Sequence, residues 1–133
     1  MTSGQIVKAF YDSDLANDPK VVSKFFHKEC ELHWTSSQGF ILLKFNDINA
    51  FFKETRESYN NLRFEFTHFI EAGNFVTTRH TLFCNTIENP DHELVLAHFS
   101  AIWEVKDVKL YRCYEISHLA DENNELSMKS YSK

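Results

Sequence analysis

Glycine and proline are scarce in this chain, three and two among 133 residues. A collagen-like repeat needs glycine at every third position and low-complexity linkers need far more of both, so neither class fits. Clustered positive charge is lacking too. No run of Lys or Arg exceeds two residues and the formal net charge is −5, which argues against a nucleic-acid partner. Cysteine is limited to Cys30, Cys84 and Cys113. An odd count with no CxxC pair argues against a disulfide framework or a zinc site, and it points to a reducing cytoplasm. No apolar run approaches the ~18 residues of a spanning helix. Met1 to Phe10 shows no apolar stretch behind a basic start, so no signal peptide is expected.

Apolar material is plentiful. Hydrophobic residues make up 43% and aromatics 15%, with 13 Phe. That is enough for a real core, and the length suits one domain. Gln5 to Leu15 carries Ile6, Val7 and Phe10 at helical spacing, with Thr2 or Ser3 as the N-cap. Asp18-Pro19 reads as the cap and first position of a second helix bearing Val21, Val22, Phe25 and Phe26. Cys30 to Thr35 alternates as a short strand, and Ser36 to Gly39 is a turn. Asn46 or Asp47 caps a third helix with Ile48, Phe51, Phe52 and Thr55, ending near Tyr59 to Asn61.

The period then changes to two. Strands are expected at Leu62 to Ala72, Phe75 to Thr86, Glu93 to Val105 and Lys109 to Leu119, joined by tight loops as an antiparallel meander. Both faces of these strands carry apolar residues, so the sheet must curl around helices or meet a partner. The fold class is α+β. Residues 1–120 form the domain, and 121–133 form a polar tail expected to be mobile.

Three stretches carry a family resemblance. Ile6 to Trp34 (IVKAFYDSDLANDPKVVSKFFHKECELHW) resembles the opening helices and first strand of the SnoaL-like branch of the NTF2-like superfamily. Phe75 to Thr86 (FVTTRHTLFCNT) resembles its long-strand text. Ala101 to Ile116 (AIWEVKDVKLYRCYEI) resembles its closing hairpin, with Val108 where a glycine usually precedes the lysine. The resemblance covers Gln5 to Ala120 and implies a cone-shaped barrel, with three N-terminal helices packed in a curved antiparallel sheet. That superfamily includes ketosteroid isomerases, polyketide cyclases, epoxide hydrolases and non-catalytic modules, so fold alone does not assign a reaction.

Aligned by that resemblance, the isomerase residues are missing. The tyrosine position falls on Phe10, with Tyr11 one place off and facing elsewhere. The base position falls on Trp34, and the second acid falls near Ala101. Apolar side chains cannot move a proton. The epoxide hydrolase set is two-thirds present: Arg79 and Glu115 match, but Thr81 stands in place of the aspartate.

Strand register groups the same residues. Centring the third loop on Asn89 sets Arg79 opposite Phe99. A three-residue loop at Lys106 to Val108 sets Phe99 opposite Glu115, and a two-residue Gly73-Asn74 turn sets His68 opposite Arg79. Glu115, Arg79 and His68 are then the candidate catalytic residues, and one slip in register would scatter them. The expected ligand-binding lining is Trp34, Thr81, Phe83, Phe99, Trp103 and Cys113. The opposite face, with His80, His98, Leu96 and Ile102, is the expected homodimer surface. His80 and His98 could start a metal site, but no third ligand is placed, and no metal or cofactor is expected. Three functions remain open: a homodimeric binder of a small apolar or amphipathic ligand, an isomerase, cyclase or hydrolase using Glu115 as acid or base, and a dimerisation module with a filled core.

Overall fold

The computed structural model describes all 133 residues. The elements run α1 (Ser3–Tyr11), α2 (Val21–Phe25), β1 (Phe26–Ser36), β2 (Gly39–Lys44), α3 (Phe45–Ser58), β3 (Tyr59–Ala72), β4 (Phe75–Thr86), β5 (Glu93–Lys106), β6 (Lys109–Leu119) and α4 (Glu125–Ser130). The strands form one curved sheet in the order β2-β1-β6-β5-β4-β3. All neighbours are antiparallel except β1 and β6. No helix is long and apolar enough to cross a membrane.

Local chemistry accounts for the helix starts. Thr2 Oγ1 accepts from the Gln5 N–H at 3.1 Å, while Gln5 Oε1 accepts from the Thr2 N–H at 2.9 Å, a reciprocal cap on α1. Asp47 accepts from the Lys44 N–H at 2.9 Å and opens α3. The core lies between α1, α3 and the concave face. Phe10 packs edge-on against Phe26 and Trp103 with centroids 5.3 and 5.5 Å apart. Each such buried side chain contributes roughly 1.5–3 kcal/mol of burial free energy.

Several elements depart from the sequence expectation: α2 begins at Val21 behind Lys20 and not at Pro19 behind Asp18, and Phe26 opens β1 and does not belong to the helix. Gly39 to Lys44 forms β2, an edge strand whose exposed Phe40, Ile41 and Leu42 hide the usual alternation. The segment expected as a mobile tail contains α4, capped by Asn124 and tied back to the sheet. There the Arg79 guanidinium donates to the Ser130 carbonyl at 3.1 Å and its hydroxyl at 3.0 Å, and lies 3.8 Å over the Tyr131 ring.

Register is where the expectation needed correction. Near the turns the pairing holds: Ala72 opposes Phe75, His68 opposes Arg79 and Phe83 opposes Val95. Thr67 on β3, Leu96 on β5 and Tyr111 on β6 are then each an extra residue, a β-bulge. The β5–β6 loop is the two-residue turn Asp107-Val108, with both φ positive at 55° and 61°. Arg79 therefore opposes Ser100, not Phe99, and Glu115 opposes Ala101. One slip turns β4 over, so Arg79 and Thr81 face the convex side and His80 faces the core. The β3 bulge sends His68 outward as well. The expected rung of His68, Arg79, Phe99 and Glu115 does not form.

The expected dimer surface changes with it. His80 is buried on the concave side, and Leu96 borders the cavity described below. His98 is buried beneath Tyr131, their rings stacked 3.7 Å apart at 13°. Ile102 alone of the four is an exposed convex residue.

Candidate functional site

Between α1, α3 and the concave sheet face lies a cavity of about 330 Å³. Ten of its lining residues are Phe, Tyr or Trp, and Ser36, Ser37, Gln38 and His118 stand at its more exposed end. The volume is at the lower end of the range typical of small-molecule sites.

Glu115 projects into this space from the middle of β6. Burial pushes its carboxyl up to about 7, opposed by a contact from Cys113 Sγ at 3.8 Å. No Lys or Arg stands among the lining residues. The Cys113 thiol is buried behind the cavity, and burial followed by the nearby Glu115 holds it well above the ordinary thiol range.

Tyr11 enters from the last turn of α1. It lies four residues beyond Val7 and shares its buried face, packing against Phe64, Phe66 and His80 at 4.9–5.1 Å. Its oxygen accepts the Trp103 indole N–H at 2.9 Å. The indole can only donate, so the phenol keeps its own proton to give. Burial, then the neighbouring Cys113 and Glu115, hold Tyr11 far above the ordinary phenol range, so it stays neutral.

His80 stacks on Phe99, centroids 5.2 Å apart and planes within 6°. Its Nδ1 lies 3.1 Å from Thr78 Oγ1. Burial pulls its pKa down to about 3, so the imidazole is neutral. Nε2 has no protein partner and is not sealed away, which leaves it open to the cavity. On β1, Trp34 donates its indole N–H to Ser117 Oγ at 2.8 Å.

Of the residues expected at the site, Glu115, Trp34, Phe99 and Trp103 line the cavity and Cys113 lies just behind it. Arg79, His68, Thr81 and Phe83 do not. Thr81 bonds His98 Nδ1 at 2.7 Å, and Phe83 lies under the Arg63 guanidinium. His80 and His98 stand on opposite faces, so the two-histidine metal pairing is broken. No cluster of three His, Cys, Asp or Glu is placed to hold a metal ion. Tyr11, His80 and Ser117 were missed. The i, i+4 spacing from Val7 signals Tyr11, whereas nothing local signals the turn-over of β4.

The SnoaL-like domain model matches residues 7–113. This chain belongs to the SnoaL-like family. Its fold is shared by IdmH, a candidate polyketide cyclase from Streptomyces antibioticus, at 10% identity, with 98% of each chain covered and a TM-score of 0.69. A LEH-like epoxide hydrolase from M. tuberculosis is 12% identical, with 97% of this chain and 88% of that chain covered and a TM-score of 0.66. A hypothetical protein with a ketosteroid isomerase-like fold from Catenulispora acidiphila, solved in complex with trimethylamine, is 13% identical over 84% and 83%, with a TM-score of 0.64. At such identities these likenesses establish the fold and leave the reaction open. No curated protein matches the sequence.

Proposed function

We propose that this SnoaL-like protein binds a small, predominantly apolar molecule in the cone cavity. The observation that carries the reading is the cavity itself: about 330 Å³ of aromatic-walled space onto which a few polar groups, chiefly Glu115, Tyr11 and His80 Nε2, converge. A filled core would leave no such volume.

A thermal-shift screen of small apolar compounds tests it. Saturation at about 100 times Kd adds ~2.7 kcal/mol of stability, which raises Tm by several degrees. Ala97 faces the cavity. The Ala97→Phe variant fills that space and is expected to lose the shift; a shift that survives in this variant would place the ligand elsewhere.

A second reading rests on Glu115 and Tyr11 together. A carboxyl that titrates near neutrality close to a neutral phenol, whose hydroxyl also meets the Thr78 side chain, suits proton transfer, as in an isomerisation or cyclisation. Arg79 and His68 have no part in it. Glu115→Gln is then expected to keep binding and lower turnover by ~10²–10⁴-fold. Equal turnover in the two proteins removes this reading.

For assembly, the convex patch of Ile102, Tyr114, Ile116, Leu42 and Phe40 supports pairing with a second copy. Light scattering is expected to give twice the 15.7 kDa chain mass, and Ile116→Lys is expected to give the monomer.

A further inference from the structure

Glu115 is the sole acid among the residues that line the cavity, and no Lys or Arg accompanies it. Elsewhere the chain pairs partly covered acids with cations. Glu31 lies 3.5 Å from Arg112 and 3.0 Å from His33, while Glu65 and Glu93 share Arg63. Arg79, the cation expected here from the sequence, is held on the far face by Ser130 and Tyr131.

A carboxyl in an apolar cavity without a partner is unfavourable, because burial penalises its charged form. An anionic ligand would add a second negative charge with nothing to offset either. A neutral ligand would leave the carboxylate unpaired and be met only by the protonated carboxyl. A cation would complete the pair. We infer that the occupant of this cavity is a compact organic amine bound as its ammonium ion, with Glu115 as counter-ion and the aromatic walls around it. The inference rests on the binding reading above and adds the charge class of the ligand.

The rest of the wall agrees. Trp34, Phe64, Phe99 and Trp103 offer ring surfaces that attract a desolvated cation. His80 stays neutral, so it does not repel the ligand, and its open Nε2 can accept an ammonium N–H. Tyr11, the neighbouring Cys113 and His80 carry no positive charge to compete for Glu115.

Three probes of one shape test the charge: cyclohexylmethylamine, cyclohexyl methyl ketone and cyclohexanecarboxylate, titrated by NMR into the full-length protein near pH 8. The amine is expected to bind at least ~10-fold tighter than the ketone, with no measurable binding of the carboxylate. Glu115→Gln is expected to cost the amine at least ~10-fold and to leave the ketone unchanged. Lowering the pH to about 5 protonates Glu115 and is expected to weaken the amine ~10-fold or more, because binding must then displace a proton; the same pH step on Glu115→Gln, which keeps His118 at the open end of the cavity, is expected to change binding little. A ketone that binds as tightly as the amine, or an amine indifferent to Glu115→Gln, overturns the inference and leaves the binding reading intact. Failure of all three probes overturns both.

Discussion

On the concave face of the sheet, Glu115 and the Nε2 of His80 face a cavity with no charged partner from the protein. On the convex face a few residues away, Arg79 has partners: Thr67 Oγ1, the carbonyl and hydroxyl oxygens of Ser130 and the Tyr131 ring surround it, and Tyr131 also covers His98. The convex side thus gives Arg79 partners from the chain, although His98 Nε2 beneath Tyr131 has none, while the concave side gives Glu115 no cation. A structural ion pair would have joined Arg79 to Glu115. The bulges that part them leave a carboxyl with no Lys or Arg of the chain beside it in the cavity. The convex cluster stabilises the fold, and the concave one is available for chemistry or binding.

Four measurements can break or sharpen that contrast. The largest effect is expected at the aromatic support of the cavity. Trp103 packs on Phe10, Tyr11 and Phe26 and holds the Tyr11 oxygen. Trp103→Ala is expected to lose about 3–5 kcal/mol in urea unfolding, whereas Ile116→Ala on the convex side, 64% exposed, is expected to lose no more than ~0.5 kcal/mol in the monomer.

Next comes the open carboxyl. Its folded pKa is raised from 4.5 to about 7. The folded protein therefore holds this proton more tightly than the unfolded chain does. Stability is unaffected below about 4.5 and falls as pH rises toward 7, by on the order of 3 kcal/mol in full. Glu115→Gln is expected to match the wild type near pH 4 and to exceed it near pH 8. A variant that is less stable at both would mean that the carboxylate is paired after all.

The convex cluster responds more weakly. Tyr131→Ala removes the stack on His98 and the ring under Arg79, and is expected to cost about 1–2 kcal/mol. Faster amide exchange through α4 is expected with it, and cavity ligands should bind unchanged.

The smallest effect lies in the turn that sets the β5–β6 register. Val108 occupies the left-handed region at φ 61°, which a β-branched residue adopts only under strain. Val108→Gly is expected to raise stability by about 1 kcal/mol. A loss would mean that some contact of the valine outweighs the strain.

Much of the architecture could be read directly from the chain. The bounds of β4 and β6 follow from alternation and turn residues, and the Thr2 cap from its hydroxyl before an apolar helix face. β2 escaped notice because Phe40 to Leu42 is apolar and exposed, so its text shows no second, polar face. α4 escaped because nothing in a polar six-residue segment announces that Arg79 and His98 will hold it. Phe99, Trp103 and Trp34 line the cavity. Glu115 kept its face because the shorter loop and the Tyr111 bulge together shift β6 by two residues, which restores the phase.

By itself, then, the sequence determined the order of α1 to α3, β1 and β3 to β6, an aromatic concave face and a carboxyl on β6 that points into it. The tertiary structure decided whether Arg79 or His80 would join that carboxyl. Alternation defines two faces within a strand but carries no phase from one strand to the next. The bulges that set the phase, at Thr67, Leu96 and Tyr111, bear no glycine or proline to mark them. The face on which Arg79 lies is therefore settled by how the strands pair and not by its neighbours in the chain.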